Sequence, residues 1–349
     1  MTSPTIRSRL PDPLRAAARR AINWTAARRD PSRATMADLR ACYRLLLGRA
    51  PDPHGLATYA PRIRRLGIGV DELVSWIASS PEFRARLPEL LGEGASPIER
   101  VELAQGFALY VRRDDPALGA SLAAIRDYEP LVASRVTALL PEGGVLVDVG
   151  ASVGFYSVLG GRAVGPHGRV LAFEPGSRNV SLLLLNLHAN GLANVAVHEL
   201  AASDRHGLLW YGGTGSNGRV RPFDGEASRL AYNELVRADT LDRVLAGEPR
   251  VDVVKVDVEG AEGVALRGAA ELLRRCRPYV VLEFSPPSLE AASGESGRDL
   301  LAYLENLGYQ LSVLSPEAFA GVASGVEEIL ACFRSAGAEH LDLLATPGD

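Results

Sequence analysis

The chain has 349 residues, a formal net charge of −4 and 47% apolar residues. That is long enough for two domains, gives no reason to expect nucleic acid as the main partner, and holds no apolar stretch long enough to cross a membrane. Three widely spaced cysteines, Cys42, Cys276 and Cys332, point to a reducing, cytoplasmic compartment and away from a disulfide framework or a zinc site.

Residues 1–34 are expected to form a basic, partly disordered segment. Residues 1–40 hold nine arginines and only three acids. A short helical pattern runs through Leu14, Ala18 and Ile22, with Trp24 nearby. A weak contact with an anionic membrane surface is one reading; a frayed surface helix is the other, and the alanine-rich face favours it. No apolar core of a secretory signal is present in the sequence.

Helical spacing continues over 36–47, where Leu39, Tyr43, Leu46 and Leu47 share a face and Gly48 supplies the stop. Arg49 to Gly55 reads as a loop, followed by helices over 55–66, after Asp71, and after the Ser80 cap. These predict an all-α domain over 35–90. Residues 91–140 are expected to be a helical connection of two or three helices.

From residue 141 to 349 the period changes, and apolar strands alternate with helices as in an α/β fold with a mostly parallel sheet. Strands are predicted at Val145–Val149, Val170–Phe173, Val195–Leu200, Val251–Val258, Tyr279–Phe284, Tyr309–Leu314 and Leu341–Ala345. Helices are predicted at 155–164, 178–190, 262–275 and 298–307. Leu208–Gly213 reads as an inserted hairpin and 214–232 as a mobile loop.

The first of these strands runs through Asp148 into Gly150-Ala151-Ser152-Val153-Gly154 and then a helix. The glycines suit a sharp turn and a close approach, and the helix start offers free N–H groups. The spacing is not the G-x-G-x-x-G of a dinucleotide site, which disfavours an NAD-dependent oxidoreductase. An acid at Asp148 suits a cationic ligand such as S-adenosylmethionine. Glu174, ending the second strand, can accept hydrogen bonds from two ribose hydroxyls.

Two resemblances follow. Tyr43 to Arg49, Asp52-Pro53-His54-Gly55 and Ser80-Pro81-Glu82-Phe83 resemble a bacterial helical domain of unknown function that is similar to the phycobilisome linker repeat. Tyr59 departs from the aromatic pair usual there. That domain's company with glycan-processing enzymes hints at a glycan-linked substrate.

Residues 128–286 resemble the FkbM family of S-adenosylmethionine-dependent methyltransferases. The resemblance rests on Tyr128-Glu129-Pro130, Asp148 to Ser157, Phe173-Glu174-Pro175, Asn186, Asn190 and Asn194. It continues through Ala201 to Asp204, Thr240-Leu241-Asp242, Lys255 to Glu262, and Glu283. It implies a class I methyltransferase fold, Rossmann-like with a mostly parallel seven-stranded sheet, and methyl transfer to a hydroxyl, often on a sugar or natural product. Ser152 stands where the family has Asn, and Phe284 where a histidine often follows the glutamate.

The resemblance implies that the turn carrying Gly150, Ser152, Gly154, Phe155 and Tyr156 holds the methionine part of the cofactor. Asp148 and Glu129 would serve the amine, Glu174 the ribose, and Ser203 and Asp204 the adenine.

Lys255 is the only lysine among 38 basic side chains. One position therefore uses a compact ammonium where arginine serves everywhere else. Strand alternation puts Lys255, Asp257 and Glu259 on one face at the end of the fourth strand. Glu259 or Asp257 is expected to act as base and Lys255 to hold it or stabilise the developing alkoxide. A divalent cation on Asp257, Glu259 and Glu262 is a less favoured alternative; a purely structural ion-pair network is another. The leading reading is an O-methyltransferase acting on a glycan or a small-molecule hydroxyl. The alternative is a non-catalytic adaptor for a glycan assembly, with a relict cofactor pocket.

Overall fold

The computed structural model describes residues 33–78, 80–83, 98–115, 118–213, 216–231, 233–315, 318–323 and 325–348. The basic segment expected to touch a membrane, apart from its last residues, lies outside them. The chain divides into two compact units, Met1–Ile98 and Glu99–Asp349.

In the first unit, helix α1 (Met36–Cys42) starts with a reciprocal cap: the Thr35 hydroxyl accepts from Asp38 N, and the Asp38 carboxylate accepts from Thr35 N at 2.7 Å. The chain then widens into a π-helical turn, Tyr43–Leu47, and stops at Gly48 in the left-handed region. Asp52 caps α2 (Pro53–Pro61), and α3 (Val70–Ala78) follows. Leu39, Leu73, Ile77 and Phe83 form the buried centre. The three helical motifs meet, because Arg49 lies over the Tyr43 ring, pairs with Asp52, and donates to Glu82 at 2.7 Å.

The expected helical connection is corrected at its start. Residues 98–112 form a hairpin, β1 (Ile98–Glu102) and β2 (Ala108–Arg112), before helices α4 (Gly119–Ile125) and α5 (Pro130–Leu139). The hairpin is tied to the α/β part by Asn186, whose side chain accepts from Tyr110 N and donates to Tyr110 O and Val153 O. Asn190 donates to Ala108 O at 2.7 Å. Helical periodicity misread the segment because β2 buries three of its five residues and leaves the other two half-buried, which hides the alternation of a strand.

The α/β part runs β3 (Val145–Val149), α6 (Phe155–Ala163), β4 (Arg169–Phe173), α7 (Ser177–Ala189), β5 (Val195–His198) and β6 (Ala201–Ala202). An insert follows, made of β7 (Gly207–Gly212), β8 (Arg219–Pro222), a 3₁₀ turn at Ala227–Ala231 and β9 (Glu234–Asp239). Then come α8 (Leu241–Val244), β10 (Val253–Val256), α9 (Glu262–Arg267), α10 (Ala270–Cys276), β11 (Tyr279–Phe284), α11 (Pro286–Ser293) and α12 (Gly297–Asn306). The chain ends with β12 (Tyr309–Ser315), β13 (Ala318–Ala323), α13 (Val326–Ala336) and β14 (Leu341–Pro347).

The main sheet has the order β13-β12-β14-β11-β10-β3-β4-β5. β5, β4, β3, β10 and β11 are parallel, and β14 enters antiparallel between β11 and β12. This is the class I methyltransferase arrangement expected from the sequence, with an eighth strand, β13, added at the edge. Helices cover both faces, so the central strands are buried on both sides. Phe173 and Phe284 are fully buried, each worth roughly 1.5–3 kcal/mol of burial.

Within the segment expected as a mobile loop over 214–232, the described residues include strand β8 and the 3₁₀ turn at Ala227–Ala231. β8 pairs with β7, β7 with β9, and β9 with β6, giving a second, four-stranded sheet. Its glycines and arginines read as loop from composition, but the antiparallel partner β7 supplies the ladder.

Candidate active site

The parallel strands deliver their carboxyl ends to one crevice, as open α/β sheets do. A cavity of about 410 Å³ opens there, walled by the ends of β3, β4, β10 and β11, the insert, and the segment before β14. Its size suits a nucleoside-scale ligand.

The glycine turn forms one wall. Gly150 has φ +84°, and a Cβ on it would lie 1.8 Å from Asp257 O. The turn is therefore glycine because it runs under the chain leaving β10. Gly154 has φ +96°, and a Cβ there would meet Leu183 of α7 at 2.4 Å. The close approach at Gly154 is therefore that of helix α7.

Ser152 lines the cavity with φ +49°, its N–H donates to Glu174 Oε2 at 2.9 Å, and its buried hydroxyl has no hydrogen-bond partner among the described residues. Glu174 Oε1 accepts from Gly176 N, Asn179 and the Tyr211 hydroxyl of the insert. Burial pushes the Glu174 carboxyl up to about 7 against these donors. Its Oε2 takes the Ser152 N–H alone and keeps acceptor capacity.

Asp148 does not line the cavity. It is buried beneath the turn, where Oδ2 accepts from the Ser157 hydroxyl at 2.6 Å and Oδ1 has no partner. Burial raises its pKa, and Lys255 opposes the rise. In register, Asp148 stands directly opposite Lys255.

Lys255 is buried, its ammonium donates to Asp257 Oδ2 at 2.6 Å, and it sits 4.5 Å from the centre of the Tyr156 ring. Burial disfavours its charge, yet Asp257, Glu129 and Asp148 together hold its pKa well above the ordinary value. Glu129, with φ +42° just before Pro130, accepts from the Tyr156 hydroxyl. Burial, then the charge of Glu129, raises the pKa of both Tyr128 and Tyr156. Phe155 packs edge-on to both tyrosine rings.

Glu259 departs from the expected alternation. β10 ends at Val256, Glu259 has φ +56° in the following turn, and its carboxylate pairs with Arg219 of the insert at 3.3 Å. Glu262 is committed to that turn, accepting from Val258 N and Gly260 N. The trio weighed as a cation site therefore points three ways. No group of three such side chains suited to a metal occurs among the described residues.

Glu129, Ser152 and Glu259 are three of the five described non-glycine residues with positive φ, and all three line the cavity. Such backbone costs about 1–3 kcal/mol each and collects at functional sites.

Ser203 and Asp204 are not brought to the cavity. Asp204 pairs with Arg205, and Leu200, Ala201 and Ala202 form the wall instead. His198 stacks on Phe173 at 4.6 Å, a packing role.

Sequence reasoning did not place Tyr211, Asn179, Glu283, Asp342 or His340 in the site. Glu283 ends β11, and the β11–β14 register sets Asp342 beside it. Burial, then repulsion from Asp257, raises the pKa of Glu283; burial and Glu129 raise that of Asp342. His340 Nδ1 lies 3.7 Å from Glu283 Oε2. Glu283 carried a strand-end signal. Tyr211 and His340 arrive from distant segments with none.

Residues 148–311 match the family model described as Methyltransferase FkbM domain. The chain carries a methyltransferase domain. Over 200 residues, 46% of this chain and 76% of the relative, the domain is 29% identical to methyltransferase sdnD of Sordaria araneosa. Methyltransferase 1 of Beauveria bassiana is 24% identical over 63% of this chain and 92% of its own length. The crystal structure of methyltransferase FkbM from Methylobacillus flagellatus is 18% identical with a TM-score of 0.37, over 79% of this chain. The match covers 54% of that structure, so the chain spans about half its length.

Proposed function

We propose that the protein is an S-adenosylmethionine-dependent O-methyltransferase whose acceptor is a hydroxyl of a glycan or glycosylated metabolite. The observation that carries this reading is the Lys255–Asp257 pair, which faces Glu174 and the glycine turn across one cavity.

The site has groups fitted to such a cofactor. The unpartnered Ser152 hydroxyl and the Gly150–Gly154 turn would hold the methionine part. Glu174 Oε2 would take ribose hydroxyls, and the surplus of carboxylates favours a cation. Bound there, the cofactor supplies a methyl group on a positively charged sulfur.

The chain's own task is alignment and proton removal. Fixing an acceptor oxygen in line with the methyl group removes much of the entropic barrier. Lys255 holds Asp257 rigid and offers positive charge to an oxygen losing its proton. Glu259 and Arg219 present a polar rim, joined by Asn217, Ser288 and His340. Such a rim suits a polyhydroxylated acceptor better than an apolar one.

The helical unit reads as a module that positions the substrate or a partner, a reading that rests on its sequence motifs at Tyr43–Arg49, Asp52–Gly55 and Ser80–Phe83 alone. Cytoplasmic location follows from cysteine usage. Among the described residues no helix is long and apolar enough to cross a membrane.

Isothermal titration with S-adenosylmethionine, paired with transfer of labelled methyl to extracted glycans and lipid-linked sugars, tests the reading. Saturable heat and label on a hydroxyl are expected. No heat at millimolar cofactor overturns it.

A further inference from the structure

Most carboxylates at the cavity are already engaged. Asp257 is held by Lys255, Glu129 by the Tyr156 hydroxyl, and Glu259 by Arg219. Glu174 takes four donors. Glu283 lines the cavity, three-quarters buried, and accepts no hydrogen bond among the described residues. Within 4 Å of its carboxylate lies Nδ1 of His340, the only histidine among the lining residues.

The pair has an inside and an outside. The Glu283 side chain is 23% exposed and that of His340 is 45% exposed. The Ser285 hydroxyl donates to Glu339 O at 2.8 Å and so anchors the segment carrying His340 to the end of β11. The imidazole thus sits between a buried carboxyl and solvent. The 3.7 Å gap is longer than a hydrogen bond, so transfer between the two groups requires a side-chain rotation that closes it.

We propose that Glu283 and His340 are the proton exit of the methyl-transfer site, Glu283 receiving the acceptor's proton and His340 passing it to solvent. This rests on the O-methyl transfer reading above. As the oxygen–methyl bond forms, the methyl–sulfur bond breaks and its electron pair stays on sulfur. The hydroxyl proton goes to a Glu283 oxygen and then to one ring nitrogen of His340, whose other nitrogen releases a proton to water.

The surroundings favour a carboxyl that holds a proton in the free protein. Glu283 faces Asp257, Glu259, Glu262 and Lys255 from the β10 side, Tyr128 from the start of α5, and Asp342 and His340 from the β14 side, while Glu129 and Glu339 line the same cavity. Negative groups outnumber the one lysine. A cation entering the crevice offsets part of that negative charge and favours loss of the proton, so cofactor binding and proton release are linked.

Two measurements that need no acceptor decide the matter. Titration calorimetry with S-adenosylmethionine near pH 7, in buffers of different ionisation enthalpy, is expected to show release approaching one proton. Glu283→Gln is expected to abolish the release, with cofactor affinity kept within about fivefold. S-adenosylhomocysteine, which lacks the sulfonium charge, should release less. NMR titration of the His340 ring is expected to show a midpoint that moves in Glu283→Gln. His340→Gln keeps Glu283 in place should that variant prove unstable; it is expected to slow labelled transfer at least tenfold and to recover with added imidazole. Absence of any cofactor heat sinks the functional reading. Normal heat with unchanged proton release and an unmoved His340 midpoint, or a His340→Gln enzyme of normal rate, sinks the relay alone.

Discussion

The Lys255 ammonium donates to the Asp257 carboxylate at 2.6 Å from a side chain that is only 5% exposed. Its strand neighbour in register is Asp148, and the Tyr156 ring closes the space beside it. A point charge on a flexible stem fits between two carboxylates and an aromatic face. A planar fork with five donors does not find matching acceptors there. This geometry gives a physical reason for the single lysine in an arginine-rich chain.

Lys255→Arg keeps the charge and changes its shape. The variant is expected to fold and to bind cofactor within a few-fold of the parent, while methyl transfer falls at least tenfold. Lys255→Met leaves Asp148 and Asp257 without their cation. Breaking a buried pair this way is expected to cost about 3–5 kcal/mol in denaturant unfolding. A Lys255→Arg enzyme with unaltered turnover would show that only charge matters at this position.

The central sheet was legible because each strand is a short apolar run bounded by glycine, proline or an acid. Asp148 and Glu174 were legible as strand ends for the same reason. What stayed hidden depends on distant partners. Tyr211 reaches Glu174 from across the insert, and His340 reaches Glu283 because β14 enters antiparallel beside β11. The alternation drawn through Lys255, Asp257 and Glu259 failed at its last member, since β10 ends at Val256 and the chain turns into the left-handed region at Glu259. A local pattern does not reveal where a strand stops pairing.

Glu174 links the turn, α7 and the insert through one carboxylate. Glu174→Gln keeps the shape but removes the charge and swaps one acceptor oxygen for a donor facing Ser152 N or Gly176 N. Cofactor affinity by calorimetry is expected to drop about 10- to 100-fold, the worth of one to two charge-assisted hydrogen bonds. Tyr211→Phe removes one of the donors and is expected to weaken binding less than tenfold. Equal affinity in all three proteins would remove Glu174 from the cofactor site.

Asn186 is fully buried in α7 and joins Tyr110 of the hairpin to Val153 of the glycine turn. All three bonds run to backbone, so its role is to hold the hairpin against the cofactor wall. Asn186→Ala strands two carbonyls and an N–H, and is expected to cost about 2–4 kcal/mol of stability. Hydrogen exchange should quicken at Ala108–Arg112 and at the turn together. Faster exchange in only one of them would mean the two segments are not coupled through this side chain.

Glu262 gives the stability curve a definite sign. Burial pushes its carboxyl up to about 7, from 4.5 in an exposed chain, although the N–H groups of Gly260 and Val258 oppose the rise. Between those values the folded protein binds the proton and the unfolded chain does not. The resulting stabilisation is fully present below about 4.5 and is lost as pH rises through about 7, with a ceiling near 3 kcal/mol. Glu174 works in the same direction, so the comparison must isolate one group. Glu262→Gln keeps an oxygen able to accept both backbone N–H groups but cannot titrate. Denaturant unfolding at pH 5, 6, 7 and 8 is expected to show a shallower fall in stability for the variant than for the parent. Parallel curves would mean that Glu262 stays ionised in the fold, held by the two N–H groups strongly enough to cancel its burial.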